Sequence, residues 1–327
     1  MKNITVNRAQ VWSQYWSQGA EHSCGGSYEG GYGDAITSYW RNGFEKLAPQ
    51  AHVLDIGTGN GPLPRILLNL ETRTDLLCEA VDLATVEPAW VKEISDEKRS
   101  RVSFHSNCQA EQLPFAPHSF DLVVSQWGLE YSNLEKSVPE VRRVLKPGGA
   151  VQLLLHHKDA LPVQLAKDEL AHLDWLLRNS DYFAVVSRML QPMLQAQTAA
   201  GREALKYDQE ANQARADFNA IQDTIQIRID AGQCPDVLHE VRQATGNIFA
   251  IAAQNGIEAA IQALQNLHQE LLHSELRLTE LRKHAMAEND VRALAEQLGQ
   301  GAPYQLDLLR DQDLLMGWKL ILYPNLA

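Results

Sequence analysis

The stretch from Val53 to Gly61, Val-Leu-Asp-Ile-Gly-Thr-Gly-Asn-Gly, constrains the fold more than any other part of the chain. A short apolar run leads into glycines at 57, 59 and 61, and Pro62 then opens an apolar-periodic segment. Glycine permits a sharp turn with positive φ and lets a ligand approach the main chain. The pattern therefore predicts a buried strand, a tight turn and a helix start whose free N–H groups face a ligand.

Two common nucleotide-binding motifs differ from this one. A P-loop ends in Gly-Lys-Ser/Thr, whereas Pro62 follows Gly61, which disfavours a nucleotide triphosphatase. The dinucleotide fingerprint is Gly-x-Gly-x-x-Gly, whereas this chain has Gly-x-Gly-x-Gly with Asp55 two residues before the first glycine. The pattern resembles motif I of the class I S-adenosylmethionine (SAM) dependent methyltransferases. A glycine-rich turn that binds no ligand is the alternative.

Composition limits the possible partners. The 327 residues are 45% hydrophobic and 21% charged, which fits a soluble globular protein long enough for two domains. The net charge of −12 disfavours a surface that neutralises nucleic-acid phosphates. No apolar run approaches the length of a membrane span and the N-terminus has no apolar signal region, so we expect a cytoplasmic protein.

Metal-binding patterns are missing from the sequence. The four cysteines have no Cys-x-x-Cys spacing, and the eleven histidines form no ligand pattern. The adjacent pair His156 and His157 cannot share one face of a helix. We therefore expect reduced thiols and no metal. The four cysteines are Cys24, Cys78, Cys108 and Cys234.

A second predicted strand ends in an acid. The segment from Leu76 to Val81 is mostly apolar, which is typical of a parallel strand buried on both faces, and Asp82 follows it. Open α/β sheets bind ligands at the carboxyl ends of their strands. A carboxylate there can accept two hydrogen bonds from a ribose diol, and the distance from Gly61 fits one helix and one strand. A plain surface acid is the alternative.

Three later segments strengthen the resemblance. They read Ala-Glu-Gln-Leu-Pro-Phe at 110–115, Ser-Phe-Asp-Leu-Val at 119–123 and Arg-Val-Leu-Lys-Pro-Gly-Gly at 143–149. In order and spacing they are similar to methyltransferases of the ubiquinone and menaquinone C-methylation type, over about residues 45–157. The resemblance implies SAM as cofactor and S-adenosylhomocysteine as product.

The same resemblance implies a set of cofactor-binding residues. Gln109 stands where the family usually has an aspartate that bonds adenine; its amide can still accept from the amino group and donate to a ring nitrogen. Ala110 would offer its backbone N–H, and Gln126 would border the methionine side. Ser125 to Gly128 replace an Asn/Asp-Pro-Pro-Tyr motif, which disfavours methylation of exocyclic base nitrogens or glutamine. The implied residues are Asp55, Gly57, Thr58, Gly59, Gly61, Asp82, Leu83, Gln109, Ala110 and Gln126.

The N-terminal region, residues 1–50, predicts two helices and a loop. Residues 5–18 place aromatic side chains at helical spacing, a face that favours packing on the main domain over ligand contact. A glycine-rich loop spans 19–33, and residues 34–47 predict a second amphipathic helix. By resemblance the loop could close over the cofactor, with a plain surface loop as the alternative. The possible gate residues are His22, Tyr28 and Tyr32.

From 158 to 302 helix formers dominate the sequence. We predict helices over 162–178, 181–199, 202–230, 236–254 and 257–298, with breaks at Ser180, Gly201, 232–235 and 255–256. Along one face of the last predicted helix, leucine and alanine residues recur at spacings of three and four and form an apolar seam. That seam favours an intramolecular core over a homodimer interface.

The predicted fold is α/β, a Rossmann-like seven-stranded methyltransferase sheet with a large all-helical insertion after the fifth strand. Strands at 304–309 and 314–323 would complete the sheet, the second as its antiparallel edge strand. The SAM-binding core would comprise 51–157 and 303–327, and the insertion 158–302. We expect this insertion to form a cap that selects the acceptor.

Methyl transfer mainly needs positioning and exclusion of water, and a base only if the acceptor must lose a proton. Candidates for that base are His22, Glu130, Tyr131, His156 and His157. The sequence predicts methyl transfer to a small, apolar or aromatic metabolite at O, C or N. The alternative is a cofactor-binding regulatory or interaction protein whose insertion is the partner surface. A protein substrate also stays open.

Overall fold

The computed structural model describes residues 7–20, 33–232 and 234–323. The three possible gate residues, His22, Tyr28 and Tyr32, lie outside the described residues, as does Cys24. Contacts divide the chain into two compact units, residues 1–164 with 280–327, and residues 165–279. Within the described part, no helix is both long and apolar enough to cross a membrane.

The first unit contains a seven-stranded sheet in the order β3-β2-β1-β4-β5-β7-β6. Neighbours among β1 to β5 are parallel, and β7 is antiparallel to both β5 and β6. The prediction that residues 314–323 form the edge strand is wrong, because β7 pairs with strands on both sides and β6 occupies the edge. This arrangement confirms the predicted Rossmann-like sheet with its helical insertion after the fifth strand. The strands are β1 (His52–Ile56), β2 (Leu77–Val81), β3 (Val102–His105), β4 (Phe120–Gln126), β5 (Leu145–Leu155), β6 (Tyr304–Asp311) and β7 (Leu314–Leu322).

The register of the parallel strands aligns the carboxyl ends of β1, β2 and β4. Val53 of β1 pairs with Cys78 of β2 on one side and with Leu122 of β4 on the other. The residues that follow these three strands therefore emerge at one edge of the sheet. β5 begins at Leu145, which pairs with Phe120 of β4.

Helices cover both faces of the sheet. Alternate residues of β1 point to opposite layers: Val53 packs in the same apolar cluster as Trp40 of α2, whereas Leu54 packs in the cluster that holds Val141 of α5 and Leu294 of α12. The helices of this unit are α1 (Arg8–Ser17), α2 (Asp34–Glu45), α3 (Pro62–Leu68), α4 (Asp96–Arg99), α5 (Leu134–Val144) and α12 (Glu288–Gly299).

The second unit is helical and has its own core. Its helical segments are α6 (Leu161–Asp174), a π-helical turn (Trp175–Asn179), α7 (Tyr182–Gln195), α8 (Ala199–Leu205), α9 (Gln209–Ala231), α10 (Asp236–Asn255) and α11 (Ile257–His284). The start of α6, up to Gln164, and the end of α11, from Glu280, belong to the first unit. Leu264, Leu267 and Leu271 of the predicted seam are buried in this core. Their burial accounts for the seam within one chain, and a homodimer stays a prediction.

Two predicted helices are each divided in the structure. The expected helix 202–230 is α8 and α9, because the Asp208 side chain caps α9 by accepting from Ala211 N, while Gly201 lies inside α8 rather than at a break. The expected helix 257–298 is α11 and α12. Since α12 packs on the sheet, the compact helical unit (165–279) is narrower than the expected insertion (158–302).

A buried hydrogen bond in the helical unit gives a stability prediction. The Tyr182 hydroxyl bonds Thr245 Oγ1, and the Tyr182 side chain is fully buried. We expect Tyr182→Phe to lower the free energy of unfolding by about 1 kcal/mol, since Thr245 loses a buried partner. Urea unfolding followed by far-UV circular dichroism measures this change. Tyr207→Phe, at a side chain 82% exposed, is the control, and equal effects of the two variants would contradict the prediction.

Candidate functional site

A cavity opens at the carboxyl ends of β1, β2 and β4, with a volume of about 970 Å³ including its open mouth. Most of the predicted cofactor-binding residues line it, and the remaining two, Gly59 and Gly61, shape the turn beside it. The lining residues from the predicted set are Asp55, Gly57, Thr58, Asp82, Leu83, Gln109, Ala110 and Gln126.

The glycine turn requires its glycines. Gly57, Gly59 and Gly61 have φ of +74°, +53° and +73°, in the left-handed region. A Cβ on Gly57 would lie 2.8 Å from the Gly128 Cα, and a Cβ on Gly59 would lie 2.7 Å from the Trp16 ring. The turn is thus packed against the loop after β4 on one side and against α1 on the other.

Gly59 and Gly148 form a matched pair for testing this turn. Both have positive φ, but a Cβ on Gly148 would meet nothing within 4 Å. We expect Gly59→Ala and Gly148→Ala each to cost about 1–2 kcal/mol of stability from backbone strain. Only Gly59→Ala should also displace Trp16 and weaken SAM binding. Equal SAM affinities of the two variants, measured calorimetrically, would show that the Trp16 contact does not shape the cavity.

Asp82 is a fixed, buried carboxylate. Its Oδ2 accepts from Gly59 N at 2.7 Å and its Oδ1 from Ala84 N at 2.8 Å. Burial raises the pKa of Asp82, although these two main-chain bonds oppose that shift. The carboxylate therefore lies in the cavity lining in one orientation, with lone pairs left for a ligand.

Asp55, the acid of the glycine motif, is 1% exposed, and neither of its carboxylate oxygens has a hydrogen-bond partner among the described residues. Burial raises the pKa of Asp55 to about 7; the Thr58 hydroxyl opposes this shift and the Asp82 carboxylate adds to it. An unpaired buried carboxylate is costly, so this cavity suits a ligand that brings a cation or a donor. The amino and sulfonium groups of SAM fit that requirement.

Two amide side chains contribute further polar groups. Gln126 accepts from Trp40 Nε1 through its Oε1, while its Nε2 is buried with no partner in the described part of the chain. Gln109 lies in the loop after β3, which Arg143 holds by donating to the carbonyls of Phe115 and Leu113. The cavity thus has a fixed loop at one end and a buried donor beside β4.

The residues considered as a possible general base lie in different surroundings. Tyr131 lines the cavity, whereas the other described candidates do not. Glu130 and His156 form a buried pair, with Oε1 to Nδ1 at 2.8 Å, and the His156 ring stacks on Trp127 at 5.4 Å.

His157 makes contacts that stabilise the fold. Its ring stacks on Trp318 at 4.4 Å, and its Nδ1 accepts from Asp159 N. Burial also lowers the pKa of His157, so the ring favours the neutral form that this acceptor requires. No catalytic role follows from these contacts.

Sequence reasoning missed much of the lining. Helix α1 contributes Arg8, Trp12 and Trp16 to the cavity, although the sequence favoured simple packing for its aromatic face. The spacing of the tryptophans predicted a helix but not the surface on which it docks. Trp127, with a positive φ of 52°, and Glu111 also line the cavity. The positions of these residues depend on tertiary contacts that no local pattern carries.

Part of this chain is similar to known proteins. Residues 54–153 match the family described as a methyltransferase domain. The ubiquinone/menaquinone biosynthesis C-methyltransferase of Cupriavidus necator is 39% identical over 125 residues, 37% of this chain and 50% of that protein. The sterol 4-C-methyltransferase of Caenorhabditis elegans is 30% identical over 110 residues, 32% of this chain and 30% of that protein. This chain spans about half the length of the first curated relatives it matches.

The chain is also similar to solved structures over part of its length. A SAM dependent methyltransferase from Aquifex aeolicus is 21% identical, with 38% of this chain and 65% of that chain covered and a TM-score of 0.31.

Proposed function

Because this chain carries a class I SAM-dependent methyltransferase domain, we propose that it transfers a methyl group from SAM to a small, apolar or aromatic molecule at oxygen, carbon or nitrogen. The observation that carries the proposal is the pair of buried carboxylates in one cavity. Asp82 is fixed by two main-chain N–H groups, and Asp55 lacks a partner among the described residues. A ribose diol would donate hydrogen bonds to Asp82, and a cationic amino-acid group would pair with Asp55.

The proposal assigns each part of the cofactor to particular residues of the cavity. Asp82 accepts hydrogen bonds from the ribose hydroxyls. Gln109 and the main-chain N–H of Ala110 bind the adenine ring. Asp55 and the Gln126 amide lie on the methionine side. The adenosyl sulfonium supplies an activated methyl group whose transfer leaves a neutral thioether.

The remaining lining supports an apolar or aromatic acceptor. Trp12, Trp16, Trp127 and Tyr131 all contribute to the cavity. Aromatic side chains bury large apolar areas and pack well against planar ligands. Such a lining also excludes water, and orientation of the acceptor can supply about 7–11 kcal/mol of the barrier reduction. A neutral amine can attack the methyl group without first losing a proton, whereas methylation of a phenol oxygen or an aromatic carbon releases a proton that a base or water must accept.

Transfer of label from [methyl-³H]SAM tests this proposal. The purified protein is incubated with separate phenols, quinols and amines, and the radioactivity in the extracted acceptor is counted. We expect labelling of at least one aromatic acceptor, and a much lower rate for Asp82→Ala at the same SAM concentration. Tight SAM binding without transfer to any acceptor would favour the cofactor-binding regulatory protein instead.

A further inference from the structure

The cavity lining contains one cation among several acids. Arg8 is the only basic side chain that lines the cavity within residues 7–20, 33–232 and 234–323, whereas Asp55, Asp82 and Glu111 are acidic. A ligand with cationic groups alone would bring further positive charge close to Arg8 and would use none of its remaining N–H donors. The position of this guanidinium therefore bears on which charges the ligand carries.

Arg8 is held from two sides. Its Nη1 donates to the Tyr131 main-chain oxygen at 2.8 Å, and its Nε lies 3.0 Å from Glu280 Oε1. The guanidinium also lies over the Tyr131 ring, 5.6 Å from the centroid. Glu280 Oε2 accepts from Trp12 Nε1 at 3.3 Å, so one carboxylate orients two side chains of α1. Since a guanidinium has five N–H donors, these bonds leave further donors for a ligand.

The helix that carries Arg8 is itself fixed to the glycine turn. Asn60 Nδ2 donates to the main-chain oxygens of Trp16 at 2.9 Å and Ala20 at 2.8 Å. Ser13 Oγ accepts from Thr85 N at 2.8 Å. The guanidinium therefore occupies a defined position beside the loop after β4. Its charge also opposes the raised pKa of Asp82, which indicates that the two groups lie within electrostatic range.

We propose that Arg8 binds an anionic oxygen of the bound ligand, and that Glu280 is the positioning residue that orients its guanidinium. This inference rests on the proposed function, because it concerns the same cavity. Two sources can provide the anion: the carboxylate of the amino-acid part of the cofactor, or an acidic oxygen of the acceptor. Arginine suits either, since its planar fork matches a carboxylate. In this proposal Asp55 faces the cationic groups of the ligand and Arg8 faces its anionic oxygen. The cavity therefore complements a ligand that carries both charges.

Calorimetric titration with two nucleosides separates these sources. S-adenosylhomocysteine has the amino-acid part, whereas 5′-methylthioadenosine lacks it. If Arg8 binds the cofactor carboxylate, Arg8→Gln should weaken S-adenosylhomocysteine binding about 10-fold, because one charge-assisted hydrogen-bonded pair is lost. The affinity for 5′-methylthioadenosine should stay within about twofold, since its contacts are unchanged.

Three variants provide the controls. Glu280→Gln should weaken S-adenosylhomocysteine binding by a few-fold and also spare 5′-methylthioadenosine, a split that general destabilisation would not produce. Arg8→Lys keeps the charge but not the planar fork, so an intermediate affinity is expected. Arg41→Gln removes an exposed arginine of α2 and should change neither affinity.

The acceptor arm uses 4-hydroxybenzoate, titrated in the presence of S-adenosylhomocysteine. Loss of its binding in Arg8→Gln, with nucleoside affinities unchanged, would assign the anion to the acceptor. Equal weakening of both nucleosides would overturn the inference, because Arg8 would then act only through the position of α1. Unchanged nucleoside binding without Arg8-dependent binding of 4-hydroxybenzoate would also overturn it. Failure of the unmodified protein to bind S-adenosylhomocysteine would instead defeat the proposed function.

Discussion

Asp55→Asn is expected to stabilise the ligand-free protein and to weaken its binding of SAM. The Asp55 carboxyl is buried without a partner among the described residues, and its pKa is raised to about 7. Between its unfolded-state pKa and about 7, the folded protein holds a proton that the unfolded chain has released. Stability therefore falls as pH rises through this window and stays lowered above it.

The size of the Asp55 effect follows from the shift. A rise from 3.8 to about 7 corresponds to at most about 4 kcal/mol at pH 8. Asparagine removes the charge but leaves a buried amide, so we expect a gain of about 1–4 kcal/mol in the free energy of unfolding. Urea unfolding from pH 5 to 8.5 should also show a flatter pH dependence for the variant. Asp223→Asn, at an exposed site on α9, is the control.

The binding of SAM should depend on pH through the same group. A cationic ligand favours the ionised carboxylate, so the affinity of the unmodified protein should rise as pH increases to about 7 and then level off. Asp55→Asn should bind more weakly and lose that dependence. An unmodified protein whose SAM affinity is constant between pH 5.5 and 8 would remove Asp55 from the binding of the cationic groups.

Asp82→Ala is expected to weaken SAM binding about 10- to 100-fold, equivalent to about 1–3 kcal/mol, because the ribose hydroxyls lose a charged acceptor. The substitution also removes the bonds that Gly59 N and Ala84 N donate, so the glycine turn loses support. Asp82→Asn keeps the side-chain shape and one oxygen acceptor, and an intermediate affinity is expected for it.

The Asp82 variants are compared by calorimetric titration with SAM, with circular dichroism to check that each is folded. The affinity for SAM should be highest in the unmodified protein, lower in the Asp82→Asn variant and lowest in the Asp82→Ala variant. Unchanged affinity in a folded Asp82→Ala protein would show that the ribose binds elsewhere.

The local patterns predicted the parts of the fold that depend on local physics. The apolar run before Gly57 and the segment ending at Asp82 predicted the parallel strands, because such strands are buried on both faces. The glycine spacing predicted the turn, since each glycine there has positive φ. The resemblance added the seven-stranded Rossmann-like sheet with its helical insertion, which the structure confirms, but it placed residues 314–323 at the edge, whereas β7 lies between β5 and β6.

The features that the sequence did not predict depend on tertiary contacts. Helix formers around residue 207 hid the boundary between α8 and α9, because composition does not show that the Asp208 side chain caps a new helix. Arg8 and Glu280 are 272 positions apart, so their ion pair had no sequence signal. The pair of Glu130 with His156 likewise needs β4 and β5 to be neighbours. The residue roles in the cavity, the domain limits and the function of the helical unit stay predictions.

The most direct measurement is calorimetric titration of the purified, unmodified protein with SAM and with S-adenosylhomocysteine at about pH 7.5, above the raised pKa of Asp55. The cavity described above predicts saturable binding of both ligands with one site per chain and micromolar dissociation constants. Absence of binding for both ligands would contradict the proposed methyltransferase function and every residue role derived from it.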